Sequence, residues 1–90
     1  GYEAAVVAAL VAAERRFEKP LRFDAGTEHV FPDFWLRDRS EIVPMEVWGL
    51  TDPDYAARKE QKIAHYDEKY GPGKWWQWDA AAGAPIPPFP

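Results

Sequence analysis

Residues 2–18 are dominated by Ala, Val and Leu, and Val6, Val7, Leu10 and Phe17 share one face of a helical wheel. This pattern predicts a helix over residues 2–18. Pro20 stops it, and a residue before proline, here Lys19, is biased to extended backbone. Beyond that point the helical period is lost. Residues 21–24 predict a short strand, and Ala25-Gly26-Thr27 a turn. Residues 29–37 and 42–49 are rich in β-branched and aromatic side chains, and Asp38-Arg39-Ser40-Glu41 separates them, which predicts a β-hairpin. Thr51-Asp52-Pro53 is a helix start, with Asp54 near the positive end of the dipole. The helix should run to about Tyr70, where Gly71 caps it and Pro72 prevents continuation. Residues 74–79, KWWQWD, predict a last strand whose alternation divides Trp75, Trp76 and Trp78 between two faces.

The predicted order is α-β-β-β-α-β. It implies an α/β (α+β) fold with a mixed sheet of about four strands and flanking helices. Residues 1–79 form the domain in this reading, and the Ala- and Pro-rich residues 80–90 an extended arm. Ninety residues support one domain near the lower size limit, and fourteen aromatic rings compensate for the short length. The chain opens inside a predicted helix without an initiator Met, as expected of a piece of a larger polypeptide. No cysteine is present, which excludes disulfides and Cys-ligated metals. The longest apolar run, residues 4–13, is too short for a membrane span of about 20 residues. A cytoplasmic protein is expected, with no membrane partner. A net charge of −4 weighs against strong autonomous DNA binding. It suits a catalytic module whose neighbours grip nucleic acid and whose clustered carboxylates hold a metal.

The hairpin register brings two of those carboxylates together. If Arg39-Ser40 is a two-residue loop, opposed residues have numbers that add to 79, so Asp33 faces Glu46. Opposed side chains share a side of the sheet with Cβ atoms roughly 5 Å apart, and two carboxylates there repel unless a cation separates them. Mg2+ or Mn2+ is the natural candidate. A longer loop would stagger the pair but still allow convergence.

The stretch FPDFWL, residues 31–36, followed by MEVWG, residues 45–49, resembles the signature of the PD-(D/E)XK (restriction-endonuclease-like) nuclease superfamily. Within it, the chain looks most like plasmid-associated domains of unknown function with an EVWG or EVYG core. The resemblance covers residues 2–79 in element order. It implies that Asp33 and Glu46 bind the metal and that a Lys two residues on helps activate water, but Trp48 stands there. In a regular strand Trp48 projects to the same side as Glu46, so its ring should border the carboxylates. Branches of the superfamily move that Lys to the following helix, and the pattern Tyr55-x-x-Arg58-Lys59-x-x-Lys62-x-x-x-Tyr66 strengthens the match. The helical wheel places Lys59 mid-face among Tyr55, Ala56, Ile63, Tyr66 and Tyr70, with Lys62 at the edge; the resemblance slightly favours Lys62. A further acid from the first helix is implied as a metal ligand, with Glu3 preferred over Glu14 on spacing.

Each residue also has a plainer reading. Asp33 would be a strand-edge residue, Glu46 the partner of Arg37 or Lys62, and either Lys a side chain snorkelling past rings. His29 and His65 lack metal-type spacing. Three functions compete. The first is metal-dependent hydrolysis of DNA phosphodiester bonds within a larger DNA-processing protein. The second is a catalytically inactive binding or scaffold module with the same fold. The third is an interaction domain whose aromatic surface and Pro-rich arm dock to the rest of the polypeptide.

Overall fold

The computed structural model describes residues 1–20 and 31–90, so the strand expected at 21–24, the turn after it and His29 lie outside the described residues. The first helix, α1 (Tyr2–Ala12), buries Val6 and Leu10. It is shorter than the Ala-rich pattern predicts. Glu14 takes a left-handed φ of 56°, and the Arg15 N–H donates back to the Leu10 carbonyl at 2.9 Å. Phe17 and Glu18 then form a strand, β1 (Phe17–Glu18), paired antiparallel with Leu36 and Trp35. Strand pairing and the edge-on contact of the Phe17 and Phe34 rings, 5.9 Å between centroids, replace the last part of the expected helix, residues 13–18. Tertiary contacts commonly override so weak a local preference.

The hairpin strands are β2 (Phe34–Leu36) and β3 (Val43–Val47). Their pairs are Phe34 with Met45, Trp35 with Pro44 and Leu36 with Val43, all adding to 79 as expected. The tight Arg39-Ser40 turn is not what sets this register. Residues 37–42 form a longer connection, symmetric about the same point, so the register survives. Asp38 anchors it. Its carboxylate accepts two bonds from the Arg15 guanidinium, at 2.9 and 2.8 Å, and one from the Arg16 N–H at 2.8 Å. The Arg15 guanidinium holds the Asp38 carboxyl well below the usual carboxylate range.

The second helix, α2 (Pro53–Tyr70), has the predicted ends: Asp52 Oδ1 accepts the Tyr55 N–H at 2.9 Å, and Gly71 follows the last turn with a φ of 97°. It crosses over to β4 (Trp76–Trp78), which pairs parallel with β3 and sets Glu46 beside Gln77. The result is a mixed sheet of order β1-β2-β3-β4 flanked by two helices, an α+β architecture. Among the described residues no helix is long and apolar enough to cross a membrane.

Alternation divides the sheet into two faces. On one, Val6 and Leu10 of α1 pack with Phe34, Leu36, Met45, Val47, Trp76 and Trp78. The Pro-rich segment completes this layer: Ile86 and Phe89 pack against it, and the Trp78 and Trp76 indole N–H groups donate to the Ala84 and Pro88 carbonyls at 2.7 and 3.2 Å. On the other face, Trp48, Trp75 and Tyr66 of α2 form a second buried cluster. Trp75 thus lies opposite Trp76 and Trp78, as the alternation requires.

Candidate functional site

One pair beyond the regular β2–β3 ladder, Asp33 and Glu46 meet. The Asp33 N–H is shared between the Met45 carbonyl and Glu46 Oε1, both at 3.1 Å. In return Asp33 Oδ2 accepts the Val47 N–H at 2.8 Å. Each acid is therefore fixed by the other strand's backbone, and both line one cavity of about 420 Å³ at the end of β3. Glu46 is only 1% exposed. Burial, reinforced by the neighbouring Asp33, pushes its carboxyl up to about 7 against the opposing pull of Lys62.

The cation comes from α2. Lys62 Nζ donates to Glu46 Oε2 at 3.0 Å, to Glu46 Oε1 at 3.2 Å and to the Phe31 carbonyl at 3.0 Å. Lys59, one turn earlier, goes elsewhere. Its ammonium pairs with Asp79 and lies 5.4 Å from the centre of the Trp48 ring. The wheel favoured Lys59 because its face is the packed one; the structure instead sends the edge residue Lys62 over the carboxylates.

Trp48 was expected to border the carboxylates. It does lie on the α2 side of the sheet, but one layer back, 3% exposed, against Tyr66 and Trp75. Its Nε1–H donates to Gln77 Oε1 at 2.8 Å. Glu3 lines the cavity and pairs with Lys19 at 3.3 Å. Glu14 stands exposed past the end of α1, away from it. Among the described residues, no group of three or more His, Cys, Asp or Glu side chains is arranged to hold a metal. The acids that converge are a pair.

Sequence reasoning missed Tyr55 as a wall of this cavity. Its hydroxyl accepts the Gly49 N–H at 3.2 Å and faces the Val47 carbonyl at 3.4 Å, fixing the chain as it leaves β3. Burial raises the pKa of this phenol. The available signal was spacing: Tyr55 lies two turns before Lys62 on one helix face.

Comparison of the chain with family models, with curated proteins and with solved structures gives no match in any of the three.

Proposed function

We propose that Asp33, Glu46 and Lys62 form the centre of a metal-dependent nuclease domain that hydrolyses DNA phosphodiester bonds. The observation that carries this reading is their convergence in one open cavity, two carboxylates from adjacent strands under a helix-borne ammonium. Asp33 and Glu46 would hold Mg2+ or Mn2+. The donor set fits a hard cation that takes one or two carboxylates and keeps several waters. The raised pKa of Glu46 points the same way, because a second cation beside a buried carboxylate relieves the cost of its charge. When bound, such a metal lowers the pKa of a coordinated water and neutralises phosphate charge.

The protein groups divide the remaining work. The backbone N–H bonds of Asp33 and Val47 hold the acids in place, so little reorganisation is needed on binding. Lys62 supplies the positive charge that Trp48 lacks, positioned to steady the attacking water or a phosphate oxygen. Glu3, on the cavity wall, is the candidate for a third acid. One observation favours the inactive scaffold as a second reading: Lys62 already bonds both oxygens of Glu46, which balances that charge without a metal.

Calorimetric Mn2+ titration and DNA cleavage assays separate the two. The nuclease reading expects Mn2+ binding that is lost in Asp33→Ala. It also expects a Lys62→Ala variant that still binds Mn2+ but cleaves about 100-fold or more slowly. Lys59→Ala should cleave normally. A chain that binds no Mn2+ and cleaves no DNA is the scaffold.

A further inference from the structure

The walls of the cavity differ in chemistry. Its floor is anionic, formed by Asp33 and Glu46, and one wall belongs to α2 through Tyr55 and Lys62. Arg58 sits between those two along the helix, three residues after Tyr55 and four before Lys62, and its charge is felt at the Tyr55 phenol. Among the described residues the Arg58 side chain makes no ion pair or hydrogen bond, whereas Arg15, Lys19, Arg37, Lys59 and Lys62 are all paired with acids.

The opposite wall carries Tyr2 and Leu50 beside Glu3, and these two large hydrophobic side chains remain 46% and 59% exposed. The Tyr2 ring is held in place. It meets Trp78 edge-on at 5.6 Å and lies so close to Gly49 that a Cβ there would come within 3.2 Å of Tyr2 Cδ2. A fixed ring with open surface is a stacking platform that loses little freedom on binding.

These features disfavour a duplex. Duplex DNA carries one negative charge per about 1.7 Å of axis, a poor match for a chain of net charge −4. Glu46 lies at the bottom of the cavity at 1% exposure, so a phosphodiester must be lowered to reach it. A stiff helix resists that deformation, and an unpaired strand does not.

Resting on the reading that this cavity acts on DNA, we propose that its substrate is an unpaired strand. The backbone runs along Arg58 and Lys62, and a neighbouring base stacks on Tyr2 and Leu50. Stacking on an aromatic side chain then supplies affinity that phosphate contacts alone cannot.

The test uses the full chain with Ca2+ and a fluorescent oligonucleotide, read by anisotropy, against the same sequence as a blunt duplex. The single strand should bind at least about tenfold more tightly. Tyr2→Ala should cost about 5- to 100-fold in single-strand affinity, and Tyr2→Phe, which keeps the ring, should cost little. Arg58→Gln should reduce the slope of log affinity against log salt by about 0.7. Circular dichroism establishes that each variant is folded. Equal or tighter duplex binding, no binding to either, or a Tyr2→Ala variant that binds as wild type overturns the inference. Tyr2-dependent single-strand binding without cleavage in Mg2+ or Mn2+ leaves it standing and removes the hydrolytic reading. Duplex cleavage indifferent to Tyr2 does the reverse.

Discussion

Replacing Glu46 with Gln isolates the energetic cost of the site. Burial and Asp33 move the Glu46 carboxyl from an ordinary 4.5 to about 7 in the folded chain. That difference corresponds to about 3 kcal/mol, an upper figure for a buried group. Its sign follows from proton linkage. Below about pH 4.5 the folded and unfolded states both carry the proton, and the site costs nothing. Between about 4.5 and 7 the folded state keeps a proton that the unfolded state has released, so stability falls as pH rises. Above about 7 both are ionised and the full cost stands. Gln is neutral throughout, and its amide oxygen can still accept the Asp33 N–H that Glu46 Oε1 accepts at 3.1 Å. Lys62, 33% exposed, can turn to water. Glu46→Gln should therefore be more stable than wild type at about pH 8, by up to about 3 kcal/mol, or on the order of 10 °C in melting temperature. The advantage should vanish near pH 4.5. Thermal unfolding followed by circular dichroism at both pH values measures it. A variant less stable than wild type at about pH 8, or an advantage independent of pH, refutes the reasoning. Mn2+ should narrow the gap by stabilising wild type alone.

Two further outcomes follow from the packing. Trp48→Lys restores the residue type of the resembled signature but buries an ammonium against Tyr66 and Trp75; chemical denaturation should show a loss of about 3 kcal/mol or more, and cleavage should not rise. Phe89→Ala removes the ring that lies 5.5 Å from Trp76 and should cost about 2–4 kcal/mol, with a changed Trp fluorescence spectrum, because the Pro-rich segment covers the α1 face of the sheet.

Much of this arrangement is written locally in the sequence. The caps of α2 were legible because Asp52, Pro53 and Gly71 act on their own immediate backbone. The hairpin register was legible because Asp33 and Glu46 are only thirteen residues apart and their strands alternate. What the sequence mis-set or left open depended on distant partners. The early end of α1 is set by Phe17 pairing with Leu36, which the Ala-rich run cannot reveal. The choice between Lys59 and Lys62 is decided by Asp79, just beyond the far strand, which captures Lys59. Position 48 was read correctly as lying on the side of Glu46, yet Tyr66 and Trp75 draw its ring into a core the strand pattern does not show.

Placing the cation on α2 has a consequence for how small the domain can be. The position two residues after Glu46 faces the crossover helix, so a Lys there would claim interior space for a charge. With Lys62 reaching in from α2 instead, the same position holds an indole that is 97% withdrawn from solvent on the basis of its 3% exposure. A ninety-residue chain has a high ratio of surface to volume and few places to bury a ring of that size. The second aromatic cluster therefore has room because the charge sits on the helix, and the sheet is covered on both sides with little chain to spare.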